Sequence, residues 1–144
     1  LERARQLGAD GSVNGATQDI ARAVLELTGG RGVDVVIENV GAAVWPAALK
    51  SLVRGGRIVT CGATTGDQPG ADLRRLFIRQ LKVFGSTLGN LAEFADLLAF
   101  CARHHLRPVI DRRYPLARVH EAFDRLESGA QFGKLALEIG PGGG

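Results

Sequence analysis

Methionine is absent from all 144 residues. The chain carries no initiator, and it opens on LERARQLGAD, which reads as the closing turns of a helix. Both features predict a piece of a longer protein. Cysteine is scarce as well: Cys61 and Cys101 lie far apart, and neither sits in a CxxC or Cys/His cluster. That disfavours a disulfide scaffold and a structural zinc site, and it makes a reducing cytoplasm the expected compartment. No apolar run approaches the ~20 residues that cross a bilayer. Residues 1–10 alternate charge with apolar side chains, unlike a signal peptide. The net charge is +3, with a pI near 9.3, but the basic residues are scattered. The pairs Arg74-Arg75 and Arg112-Arg113 have no aromatics interleaved. A nucleic-acid partner calls for a basic stripe or a recognisable module, and neither is present. Weak attraction to an anionic ligand is what this charge implies.

What remains is the composition of a globular protein. Hydrophobic residues make up 45% and charged residues 23%, ordinary values that exclude general disorder. The length suits one domain, or one domain plus part of another, and a chain of roughly 150 residues buries about 68–70% of its unfolded surface.

Periodicity predicts the elements. Leu1, Ala4 and Leu7 sit at helical spacing and Gly8 is a stop. Residues 12–14 are a short strand candidate. Asp19 caps the helix IARAVLEL, which Gly29-Gly30 ends. VDVVIENVG is a β-branched run that reads as a parallel strand buried on both faces. Residues 42–53 read as a helix with Pro46 in its first turn, stopped by Gly55-Gly56, and RIVTCGA as the next strand. A loop over 64–71 and a short helix over 72–80 lead to a third strand, LKVFGSTLG. Asn90 caps LAEFADLLAFCARHH; an extended 107–116, a helix over 118–129 and a last strand over 134–139 follow, and 141–144 is a flexible tail. This alternation of strand and helix predicts an α/β fold with a doubly wound parallel sheet, incomplete at its N-terminal side.

Ligands of such sheets bind outside the carboxyl ends of the strands. Three of those ends, at 38–41, 60–66 and 84–89, are rich in glycine and small polar residues, which let a ligand approach the backbone. Together they predict a pocket lined by peptide groups. No GxGxxG is present, and Gly29-Gly30-Arg31-Gly32 follows a helix, the wrong place for a phosphate. Cys61 has no histidine near it in sequence and reads as a small hydrophobe rather than a nucleophile. His104-His105 suits the end of a helix, His120 calls only for an exposed position, and no metal site is expected. Glu38, ending a buried strand, bonds either to backbone amides or to a ligand hydroxyl, and spacing does not choose between them.

The order GADGSVN, LTGGRGVDVVIENVG, LVRGGRIVTCGATTG, LRRLFIRQLKVFGSTLG, RPVIDRRYPL and AFDRLESGAQFGKLALEI resembles the C-terminal portion of the medium-chain dehydrogenase/reductase family. The zinc-type alcohol dehydrogenase and quinone oxidoreductase branches are the most similar, and the likeness covers about residues 1–140. It implies the rear of a Rossmann-like nucleotide-binding domain over 1–89 and the final piece of a catalytic domain over 90–140. It implies hydride transfer between NADP or NAD and an alcohol, aldehyde, quinone or enone. A catalytic zinc, where the parent has one, takes its ligands outside this chain. The same motifs imply cofactor contacts at Val40 and Gly41, at Cys61, Gly62, Ala63 and Thr64 near the nicotinamide ribose, and at Phe84, Gly85 and Ser86 for the carboxamide. They also imply contacts at Lys134 near the phosphates or ribose, and at Asn14 on the adenine side, where Gly15 replaces a tyrosine common in relatives. No general acid is identifiable. The family pattern implies a homodimer through strand 81–89 and a small-molecule substrate. A non-catalytic dimerisation or weak nucleotide-binding module is the alternative, and the isolated piece is expected to be inactive.

Overall fold

The local signals are realised in a computed structural model that describes residues 1–140; the tail over 141–144 lies outside the described residues. A first short helix, α1 (Glu2–Gln6), is capped by Leu7 and followed by Gly8, whose φ is +100°. The segment 12–14 is not a strand, because no neighbouring strand pairs with it among the described residues. Asp19 caps α2 (Ile20–Leu27), its carboxylate accepting from the amide of Arg22 at 3.0 Å. Gly29 and Gly30 take positive φ beyond the helix, and the amide of Gly30 donates to the carbonyl of Leu25 at 2.7 Å.

Strand β1 (Val33–Glu38), helix α3 (Trp45–Ser51), strand β2 (Leu52–Thr60), helix α4 (Leu73–Arg79) and strand β3 (Lys82–Gly85) follow. The three strands run parallel in the order β1-β2-β3. Helix α3 is shorter than its sequence suggests, and Pro46 lies in its first turn. It stops at Ser51 because Leu52 is fully buried and already pairs with Val33. The glycines at 55 and 56 do not end the helix. They form an excursion inside β2, since the register passes from Val33↔Leu52 straight to Val35↔Arg57.

The core lies on one face of this sheet. Ala48, Leu49, Leu52 and Ile58 are buried there, with Val33, Val36, Trp45, Leu76 and Leu81 packed around them. The other face is open: Val35, Ile37 and Phe84 are exposed, Ile37 at 70%. The expectation that β1 is buried on both faces is thus corrected. No element of the first unit covers the second face, so the β-branched run is half-exposed.

The chain divides into two units, Leu1–Leu88 and Gly89–Gly144. In the second, Asn90 and Glu93 form a reciprocal capping box at the start of α5 (Leu91–Arg103). Strand β4 (Ile110–Pro115) passes through a 3-10 turn over Leu116–Arg118 into α6 (Val119–Glu127), and β5 (Lys134–Glu138) pairs parallel with β4. Arg125 donates to the carboxylate of Asp111 at 2.6 Å and joins α6 to β4. The fold class is α/β with parallel sheets. No helix among the described residues is long and apolar enough to cross a membrane.

Candidate functional site

The register places Glu38, Thr60 and Gly85 side by side at the carboxyl ends of the three parallel strands. Two concavities open there, both within the first unit. One, of about 430 Å³, is lined by Thr60, Cys61, Gly62, Ala63, Gly85, Ser86 and Thr87. The other, of about 290 Å³, lies toward α3 and includes Glu38, Gly41, Trp45, Gly62 and Gly66 in its wall.

The first cleft brings together five residues that the sequence singles out: Cys61, Gly62, Ala63, Gly85 and Ser86. The amide of Ser86 donates to the carbonyl of Thr60 at 2.9 Å, which ties the ends of β2 and β3. The hydroxyls of Ser86 and Thr87 make no hydrogen bond among the described residues and are available at the rim. A Cβ at Gly85 would meet nothing within 4 Å. The space beside this glycine is therefore open to a ligand rather than filled by the chain. Gly62 differs, since a Cβ there would come within 3.0 Å of the carbonyl of Asn39. Cys61, read from sequence as a small hydrophobe, is an exposed free thiol. It lies just past β2, where its amide donates to the carbonyl of Glu38 at 2.9 Å and its thiol lies 3.6 Å from the same oxygen.

Glu38 bonds to backbone amides. Its side chain is 3% exposed. Its Oε1 accepts from the amides of Val40 and Gly41 at 2.5 and 2.6 Å, and its Oε2 lies 3.4 Å from the Thr60 hydroxyl. The peptide groups of Val40 and Gly41 are consequently spent inside the chain. Val40 receives Thr65 at its carbonyl, and Gly41 receives Val44 and Trp45.

The remaining sequence-marked residues are not in the lining of the first cleft. Val40 and Thr64 line neither cavity, and the Thr64 hydroxyl lies 3.4 Å from the carbonyl of Val40. Phe84 lies one residue before Gly85, and the strand alternation turns its side chain to the open face. Asn14 caps a turn, its Oδ1 accepting from the amide of Ala16 at 3.1 Å. Lys134 is exposed at the start of β5 in the second unit. The glycine before it has its own structural reason: at φ +97°, a Cβ at Gly133 would sit 2.4 Å from the carbonyl of Val109. Thr60 and Thr87 lie in the strand ends that predict the pocket but were not singled out for cofactor contacts, and sequence reasoning passed over Trp45. Register marks Thr60, directly beside Glu38; nothing in the local pattern marks Trp45.

The donor set bears on which groups the site fits. Among the described residues no group of three or more His, Cys, Asp or Glu side chains could hold a metal ion. The residues present do not fit a zinc centre. The first cleft instead has a bare glycine on one wall and, among the described residues, two unspent hydroxyls on its rim.

The chain is similar to known proteins along nearly its whole length. The profile of the zinc-binding dehydrogenases matches residues 7–137. A zinc-type alcohol dehydrogenase-like protein, YogA, of Leptosphaeria maculans is 32% identical over 96% of this chain and 41% of its own length. The crystal structure of an NAD-dependent alcohol dehydrogenase superposes with a TM-score of 0.85 at 36% identity, covering 97% of this chain and 41% of that one. A quinone oxidoreductase of Pseudomonas syringae pv. Tomato gives a TM-score of 0.78 at 29% identity, over 96% of this chain and 45% of its own. The chain spans about two fifths of the length of the relatives it matches.

Proposed function

This chain belongs to the zinc-binding dehydrogenase family, and from that premise we propose that it is the rear, cofactor-facing portion of an oxidoreductase. The parent passes a hydride between NAD or NADP and a small alcohol, aldehyde, quinone or enone. The observation that carries this reading is the cleft at the ends of β2 and β3. There Gly62 and Gly85 bring backbone to the surface, and the hydroxyls of Ser86 and Thr87 are unspent. When bound, the nicotinamide supplies the hydride chemistry, and the protein supplies position and electrostatics.

In this reading Cys61, Gly62 and Ala63 form one wall, against which the nicotinamide ribose lies. Gly85 admits the ring edge because it has no side chain, while Ser86 and Thr87 offer hydroxyls to the carboxamide. Val40 and Gly41 contribute packing rather than hydrogen bonds, since their amides are held by Glu38. Thr64 and Phe84 support the two walls from behind. Asn14 and Lys134 are assigned to the adenine and phosphate ends by motif alone. The domain division of the parent falls near residue 89. A catalytic zinc in the parent draws its ligands from outside this chain.

The chain alone binds the nucleotide weakly and does not turn over substrate, because it lacks a GxGxxG loop to hold the phosphates. Its role in assembly is carried by β3. This strand has β2 on one side and, among the described residues, no strand on the other, and Val83 and Phe84 are exposed. A free apolar edge is a template for pairing, and a second copy adding its own β3 about a two-fold axis gives a homodimer.

Titration of NADH and NADPH into the chain, with the amide resonances followed by NMR, tests the site. A dissociation constant in the high-micromolar to millimolar range is expected, about −4 to −5.5 kcal/mol. Shifts should concentrate at residues 60–63 and 85–87. Shifts confined to other residues, or no binding at millimolar nucleotide, refute the assignment.

A further inference from the structure

The wall of the cleft hangs on one buried carboxylate. Glu38 ends β1, and its partners are all neutral: the amides of Val40 and Gly41 on Oε1 and the Thr60 hydroxyl near Oε2. Two successive amides converging on one oxygen form a small anion nest, here filled by the chain's own side chain. The bonds run onward without a gap. The carbonyl of Val40 accepts from the amide of Thr65 at 2.7 Å and from its hydroxyl at 2.6 Å. The amide of Ala42 donates to the carbonyl of Gly66 at 3.0 Å, and the amide of Ala43 to the Thr65 hydroxyl at 3.0 Å. Packing is equally close: a Cβ on Gly41 would meet the carbonyl oxygen of Gly66 at 2.4 Å and the Cα of Ala63 at 2.9 Å. The turn at 40–41 and the loop at 61–66 therefore move together or not at all.

We infer that Glu38 is a positioning residue for the nicotinamide end of the cofactor. It fixes the turn at Val40 and Gly41, and through Thr65 and Gly66 it sets where Gly62 and Ala63 stand in the cleft wall. Glu38 touches no cofactor in this account. It also occupies the two amides, which are then not free to capture a solvent anion. This inference rests on the cofactor reading above.

The test compares the unaltered chain with Glu38→Ala, Glu38→Gln and Thr65→Val, by amide hydrogen exchange without nucleotide and by NADH and NADPH titration. In Glu38→Ala the amides of Thr65 and Gly66, which donate to the carbonyls of Val40 and Ala63, should exchange at least tenfold faster, while those of Ile58 and Val59 keep their protection. The NADH dissociation constant should rise at least tenfold. Glu38→Gln keeps a carbonyl oxygen for the two amides and should bring both readouts to within about threefold of the unaltered chain. That rescue separates an acceptor that positions the loop from a charge that contacts the ligand. Thr65→Val cuts the next link and threatens folding less, so it decides the matter where Glu38→Ala does not fold. It should speed exchange at residues 65 and 66 and weaken binding at least threefold. Unchanged exchange at 65 and 66 in Thr65→Val, or unchanged affinity in folded Glu38→Ala, overturns the inference. Failure of the unaltered chain to bind either nucleotide overturns the cofactor reading instead, and the exchange rates then judge the hold of Glu38 on the loop by themselves.

Discussion

Replacing Gly41 by alanine puts a methyl group where the chain has no room for one. Gly41 sits at φ +91°, outside the regions open to L-residues, which by itself costs about 1–2 kcal/mol. The new Cβ would lie 2.4 Å from the carbonyl oxygen of Gly66 and 2.9 Å from the Cα of Ala63. Both are backbone atoms, so no side chain can swing aside. Restoring contact distance moves the loop by about 1 Å, which breaks one or two of its hydrogen bonds to the 40–43 turn, at about 1 kcal/mol each. The expected loss is about 2–4 kcal/mol in the first unit, where each kcal/mol lowers the thermal midpoint by roughly 4–8 °C. Trp45 is the single tryptophan and belongs to the core of that unit, so urea unfolding followed by its fluorescence reads the effect directly. Gly85→Ala is the control: its Cβ meets nothing within 4 Å, and its midpoint should move by no more than about 0.5 kcal/mol. A Gly41→Ala midpoint equal to that of the unaltered chain would refute the argument that chain packing, and not a ligand, requires this glycine.

Asn90→Ala removes one arm of the capping box at α5 and should cost about 1 kcal/mol, read as earlier loss of helical circular dichroism with the Trp45 transition unmoved. Val83→Pro removes a backbone donor from β3 and distorts its free edge. Sedimentation should show dimer for the unaltered chain at tens of micromolar and monomer or aggregate for the variant; a monomeric unaltered chain contradicts the edge-pairing proposal.

The helix caps were readable because they are local. Asp19 and Asn90 each precede an apolar helical pattern and bond to amides three residues on, so sequence alone contains the whole interaction. The parallel alternation was readable for the same reason, from β-branched runs between helices. The excursion at Gly55 and Gly56 was not, because it depends on Leu52 finding a buried place opposite Val33. Two glycines after a helix look the same whether they end it or kink the next strand. The open face of β1 was misread because a β-branched run shows a liking for burial and not whether a covering layer exists. At the site, the glycine-rich strand ends pointed to the cleft, yet glycines with different jobs look alike in sequence. Gly41 and Gly133 are required by the chain's own carbonyls, while Gly85 stands beside open space. Glu38 could be marked as unusual from its buried strand, but its choice of backbone amides over a ligand hydroxyl follows from a turn geometry that spacing does not encode.

The central claim is that the cleft at Gly62, Gly85 and Ser86 receives a nicotinamide nucleotide, and Gly85→Val tests it most directly. The variant fills open space and leaves the chain's own contacts intact, so its urea midpoint by Trp45 fluorescence should match the unaltered protein. Calorimetric titration with NADH and NADPH should then show an affinity at least tenfold weaker, a loss of about 1.4 kcal/mol or more. A folded Gly85→Val chain that binds both nucleotides as well as the unaltered one would contradict the account.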